Sequence, residues 1–240
     1  MKYFTKEWYN DSLVADMCFQ LRKTEKAAKY SDKFYEKLYA VEEKAYIRYR
    51  KHELKVLKQS KTADEMKEEF RQSTITNLEF VKKNLPEEIL KDIADVRILG
   101  LGSVTDEMHT KITKYCGRLH SKCKSAERHY EEESDEAFAV IDGKTSKILS
   151  DLAGAELMSI NHDAEITTFE LSTDYADISI TLTNASATEE NTFVKGGFVV
   201  KTELICNEEK RFEFSLLCIT DDLETYTYSF AADKISADKR

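Results

Sequence analysis

Residues 210–219 read KRFEFSLLCI. Phe212, Phe214, Leu216 and Cys218 recur at every second position, so on an extended chain all four face one side. Four neighbouring stretches share the period and the enrichment in β-branched and aromatic residues: ITTFEL (166–171), DISITL (177–182), GFVVKTELIC (197–206) and TYTYSF (225–230). Ile178, Ile180 and Leu182 share a face, as do Tyr226, Tyr228 and Phe230. Short connections between such runs favour antiparallel pairing. The region from Gly154 onward is therefore expected to form an antiparallel sheet of five or six strands, curled toward a half-barrel.

Upstream of Gly154 the period is helical. Trp8, Leu13, Met17, Leu21 and Ala28 open the pattern. Ser31 or Asp32 suits the cap of a second helix, whose stripe of Leu38, Val41, Ala45, Tyr49 and Val56 reads as its core face. TADE (62–65) is a capping box that starts a third helix carrying Met66, Phe70, Leu78 and Val81 and ending at Asn84. Pro86 suits the first turn of a short fourth helix through Ile89, Ile93 and Val96. The fifth helix has the clearest seam: Ile112, Cys116, Leu119, Cys123, Ala126 and Tyr130, spaced 4, 3, 4, 3, 4. A sixth, short helix lies near 145–152 and ends at Gly154. The fold class is thus α+β: a helical region of about five or six helices over 1–153, then an antiparallel β region over 154–240.

The first ten residues, MKYFTKEWYN, hold four aromatics. Thr5 reads as a helix N-cap, with Phe4 before it packed on Tyr9 as a hydrophobic staple. No apolar signal segment follows Met1 and no run is long enough to span a bilayer. The five cysteines are odd in number and form no C-x-x-C. Reduced thiols in a cytoplasmic protein follow. Residues 1–153 carry 29 Lys+Arg against 28 Asp+Glu, a net of +1, and residues 154–240 carry 7 against 17, a net of −10. An acidic surface of that kind repels nucleic acid and anionic lipid.

RILGLGSVTDE (97–107) breaks the helical half, with Gly100 and Gly102 in a turn and Ser103 with Asp106 starting the next helix. A phosphate loop is the alternative, but no lysine follows the glycines and no strand–helix unit surrounds them. The order of features resembles a family of Gram-positive bacterial proteins classed as a domain of unknown function. The resemblance rests on MKYFTKEWY, on LGLG with the helix after it, and on INHDAEI (160–166) with its HDA tripeptide. It implies a bacterial cytosolic protein and transfers no activity and no catalytic residue.

Four constellations could carry chemistry. In KYCGRLHSKC, Cys116, His120 and Cys123 stand at i, i+4 and i+7 of one helix, and thiolate with imidazole suits zinc. His109 and Cys123 would lie about 21 Å apart, so one ion needs a single pair plus donors from elsewhere, such as His52, His129 or Glu131 to Glu133. Against zinc, both cysteines sit on the apolar seam, where free cysteine is commonly buried. His162 with Asp163 is a possible metal or acid–base pair, set against a turn aspartate beside a packed histidine. Residues 20–58 hold 12 Lys+Arg against 6 Asp+Glu with five interleaved tyrosines. Lys26, Lys29, Lys33, Arg48, Arg50 and Lys51 form a possible binding surface for nucleic acid, or for an acidic surface such as the β part in the same chain or in a dimer, set against an ordinary solvated face. EEESDE (131–136) reads as solvated. No H-E-x-x-H or G-x-S-x-G occurs. The leading expectation is a non-enzymatic interaction protein that meets a protein partner or a second copy, without membrane and with nucleic acid disfavoured. A metal protein using Cys116, His120 and Cys123 is the alternative.

Overall fold

The computed structural model describes residues 1–163, 165–188 and 193–240. Among them are seven α-helices, nearly all of them ahead of an antiparallel sheet, so the α+β class holds. The helices are α1 (Lys6–Met17), α2 (Asp32–Val56), α3 (Ala63–Asn84), α4 (Glu87–Leu90), α5 (Val96–Gly100), α6 (Asp106–Val140) and α7 (Gly143–Ser150). Strands β1 (Arg22–Lys23) and β2 (Ser103–Val104) form a parallel pair by themselves. The main sheet holds β3 (Glu156–Asp163), β4 (Ile166–Thr173), β5 (Ala176–Thr183), β6 (Ser186–Ala187), β7 (Gly197–Cys206), β8 (Phe212–Ile219), β9 (Thr225–Ala232) and β10 (Lys234–Lys239). Helix gives way to strand between Ser150 and Glu156. The two compact units divide elsewhere: Ser12–His120, and Met1–Asp11 with Ser121–Arg240.

Eight strand segments exceed the five or six expected, for a geometric reason. The sheet order is β10-β5-β4-β3-β7-β8-β9-β6. Thr183 pairs with Lys234 in β5–β10, and Ser186 pairs with Ala231 in β6–β9. Three residues separate the partners on each chain, so the register is unchanged across the break. Arg240 N–H to the Asp177 carbonyl and Thr188 N–H to the Ser229 carbonyl, both 2.9 Å, extend the same ladder at its two ends. The four segments are thus two long strands interrupted in the middle, and their pairing joins the two ends of the sheet. The result is a ring of six strands, two of them interrupted, joined all round but only briefly paired at β3–β7.

Alternation fills the barrel. Leu157, Phe169, Ile180, Leu182, Phe214 and Leu216 are fully buried in its core. Phe169 meets Phe214 and Phe230 edge to face, each at 5.4 Å between ring centroids. From the helices, Ala137 of α6 and Ile148, Leu149 and Leu152 at α7 join this cluster. The thin part of the ring is β3–β7, where only Glu156–Phe198 and Leu157–Gly197 pair.

Beyond that seam β7 carries Glu203, which is 2% exposed. Its carboxylate accepts the backbone N–H groups of Lys2 (2.8 Å), Tyr3 (2.6 Å) and Phe4. Three otherwise orphaned donors at one buried carboxylate fix the N-terminal segment on the sheet. Thr5 then caps α1 as expected, its Oγ1 accepting from the Trp8 N–H at 3.1 Å. The staple differs from expectation. Phe4 stacks edge to face on Trp8 and on Tyr130 of α6, each at 4.9 Å, while Tyr9 packs at the side of this cluster. The opening aromatics are therefore an anchor, and Lys201 Nζ sits 5.0 Å from the Phe4 ring centre.

In the other unit, α2 and α3 pair along their lengths. Ser31 caps α2 through the Phe34 N–H, and Thr62 with Glu65 forms the expected capping box of α3. The fourth helix ends at Leu90 instead of running through Ile93 to Val96, and Val96 opens a separate five-residue helix, α5, too short to show a period of its own. Asp95 caps it and takes a bidentate bond from Arg97, whose guanidinium lies 4.5 Å from the ring centres of Tyr30 and Tyr35. Of LGLG, Leu99 and Gly100 end α5, and the turn is Leu101 with Gly102, the latter at φ +71°. The helix after it is capped by Thr105, because Ser103 is committed to β2. Cores of both units rest on ordinary apolar burial; in this one Val81, Leu85, Leu99, Ile112 and Cys116 cluster.

Substituting Glu203→Gln sets an amide donor against one of the three N–H groups. We expect a loss of about 1–3 kcal/mol by chemical denaturation, with faster amide exchange at Lys2, Tyr3 and Phe4 and an unchanged β signal by circular dichroism.

Candidate functional site

The structure separates the zinc candidates. The Cys116 thiol donates to the Val14 carbonyl at 3.2 Å and is fully buried. Burial, with Cys18 beside it, pushes this thiol up to about 12. Cys123 donates to the Trp8 carbonyl at 3.7 Å within the aromatic anchor. His120, between them in sequence, is exposed. Spacings of 3 and 4 put the cysteines on the packed side of α6, and the imidazole falls outside it. Among the described residues no three His, Cys, Asp or Glu side chains gather as a metal-holding group.

His162 and Asp163 close β3. His162 Nδ1 lies 2.7 Å from Thr167 Oγ1 on the paired strand, and its ring is 6.5 Å from that of Phe230. His162 is exposed at the end of the strand, and alternation turns Asp163, the next strand residue, to the opposite face. Ala164 of the HDA tripeptide lies outside the described residues. The acidic run 131–136 falls inside α6, where Glu133 bonds Lys2 and the Tyr3 hydroxyl, and Glu136 bonds Lys210 at 2.5 Å. Those hydrogen bonds hold the Glu133 carboxyl below its usual range.

The basic segment keeps a surface role with a different membership. Arg50 is engaged by Glu53 and Glu69, and Lys26 rests over the Phe34 ring. Lys29 precedes α2. Lys33, Arg48 and Lys51 are exposed on α2, and Lys37, Lys44 and Lys55 are exposed with them. At about 100° per residue these six fall within an arc of about 60°, a row of about 33 Å. None of the six takes part in an ion pair among the described residues. The signal for Lys37, Lys44 and Lys55 was available in the spacing of the cations themselves, 4, 7, 4, 3 and 4.

Beside this row lies the stripe read as the core face of α2, and here the expectation is overturned. Val41 is 53% exposed, Tyr49 68% and Val56 69%, and Ala45 is exposed as well. Leu38 is half-buried. α2 instead turns Tyr39 and Tyr46 onto Phe70 of α3, at 5.0 and 5.5 Å between ring centroids. Burial pushes both phenols up. Glu42, on the same side, bonds Arg22 at 2.8 Å. Two stripes with helical period compete for one core, and the aromatic one fills the gap to Phe70. The aliphatic stripe is left outside with a cationic flank.

Two cavities accompany these features. One of about 600 Å³, in the helical unit, is lined by Arg22, Glu42, Phe70, Asn77 and Gly102. One of about 850 Å³ lies beside α7 and the β4–β5 turn, with Lys147, Tyr175, Ile178 and Phe198 on its walls. No helix among the described residues is long and apolar enough to cross a membrane. No protein-family model matches the chain, and no curated protein or solved structure matches it.

Thiol chemistry checks the cysteine environments. In the folded protein at neutral pH, alkylation is expected to spare Cys116 and Cys218, whose thiols burial pushes up to about 12. Peptide mapping should find Cys18 and Cys206, both half-buried, modified first. Cys123→Ala should lower stability and leave zinc content by elemental analysis unchanged; a zinc loss would restore the metal reading.

Proposed function

We propose that this chain works as a non-enzymatic protein-binding module, cytosolic and bacterial, with the outer face of α2 as its contact surface. The observation that carries this reading is the apolar stripe of α2, exposed beside six cations that have no ion-pair partner among the described residues. Leaving a large apolar side chain in water forgoes about 1.5–3 kcal/mol of burial. A continuous exposed stripe of such residues marks an interaction site more than scattered ones do. The helix is backed by α3, onto which Tyr39 and Tyr46 pack, and is tied by Arg22–Glu42 and by Arg50–Glu69. A pre-ordered helix loses little conformational freedom on association.

The test is native mass spectrometry of the protein isolated gently from its own cells, comparing wild type with a Val41→Glu, Tyr49→Glu variant. Both positions are exposed, so the variant should keep its melting transition within about 0.5 kcal/mol. A bound protein mass present in wild type and lost in the variant is expected, with Tyr49 protected from oxidative footprinting in the bound form. Retention of the same mass by the variant would remove α2 from the contact.

A further inference from the structure

We propose that the α2 face receives an amphipathic α-helix of another protein, acidic along one flank. This inference rests on the reading of α2 as the contact surface and adds the chemistry of what it meets.

The geometry selects a helix. Leu38, Val41, Ala45, Tyr49 and Val56 are spaced 3, 4, 4 and 7, with exposed His52 in the last gap. That is 18 residues in five turns, the 3.6 of an undistorted helix. A straight helix laid alongside keeps contact over this stripe, about 27 Å, without supercoiling. Ala45, near the middle, lets the axes approach to about 8–10 Å. An extended strand has the wrong repeat to match this spacing.

The charges select the partner's flank. Lys33, Lys37, Lys44, Arg48, Lys51 and Lys55 border the stripe on one side only. On the other side the acidic residues Glu42 and Glu53 are already bonded to Arg22 and Arg50. A partner helix therefore gains most from carboxylates on the single flank that meets the lysine row, and a cationic helix is repelled there. A second copy of α2 would bring its own cation row against this one, so self-pairing is disfavoured. Val41 and Ala45 are small as membrane anchors, and a nucleic acid would leave the apolar stripe uncovered, so a bilayer and a duplex match only part of this face.

The probe is a synthetic amphipathic helix of the length of α2, 25 residues, with leucine along one stripe and glutamate along one flank. Its counterpart carries lysine on that flank. Phosphatidylglycerol vesicles and a DNA duplex are run beside them against the full chain, read by fluorescence anisotropy. We expect the glutamate helix to bind at least about tenfold more tightly than the lysine helix at low salt, an advantage that shrinks as salt screens the flank. Lys44→Glu with Arg48→Glu should reverse the preference while circular dichroism stays unchanged. Equal binding of both helices, abolished for both by Val41→Glu, would overturn the acidic flank and keep α2 as the contact surface. Binding of vesicles or duplex with neither helix bound would overturn the helical partner. No binding of any probe would overturn this proposal, while the native-mass comparison above would still decide the contact surface on its own.

Discussion

One antiparallel ladder, running from Asp177–Arg240 to Thr188–Ser229, makes the β region what it is. It pairs two strands that are each broken in the middle, and so joins the ends of a sheet that would otherwise lie open. Closure gives every inward residue of six strands the same interior to fill. Phe169 at the centre of an edge-to-face aromatic set is possible only because β8 and β9 return to face β4. The cost of closure appears at β3–β7, where pairing stops after two residues. Glu203 lies on β7 past that point, and its buried carboxylate is satisfied by three backbone donors of the N-terminal segment.

The helical unit is organised by a choice between two faces of α2. Tyr35, Tyr39 and Tyr46 go inward toward α3 and toward the Arg97 guanidinium. Rings of that size span the gap to Phe70, which valine and alanine would leave void, and voids in a core are costly. The outward face is then aliphatic and basic by default. Its six cations have no carboxylate partner among the described residues, as is also true of Lys58, Lys82 and Lys83 in the same unit, whereas Arg50, Lys61 and Arg71 are paired. What sets α2 apart is the alignment of its cations in one row beside an exposed apolar stripe, the ground on which we propose it as a contact surface.

Much of the architecture was legible in the sequence because it is written in local periods. Alternation in KRFEFSLLCI and DISITL marked the strands, and the seam Ile112–Cys116–Leu119–Cys123 marked α6. Caps were legible for the same reason: Thr5, Ser31 and Thr62 satisfy N–H groups two or three residues away. α5 was missed because five residues are too few to show a period, and its stability comes from Asp95 and Arg97 rather than from a stripe. The candidate site was half legible. Lys33, Arg48 and Lys51 were found from charge density alone, while Lys37, Lys44 and Lys55 needed the helical spacing of the cations to be counted. Arg50 and Lys26 carried the right charge and proved to be occupied within the fold.

The sequence by itself determined most of the helices and where they begin, the five strand runs from Ile166 to Phe230, and that the last third is acidic. These are properties of neighbours in the chain, set by side-chain period and by short-range hydrogen bonds. Tertiary structure alone decided that the sheet closes, that the opening aromatics anchor on Tyr130 and Glu203, and that the aliphatic stripe of α2 faces water. Each of those depends on which surface arrives from residues 20 to 200 positions away. Periodicity shows that a face is apolar, but only the shape and size of the opposing surface settles which of two apolar faces is buried.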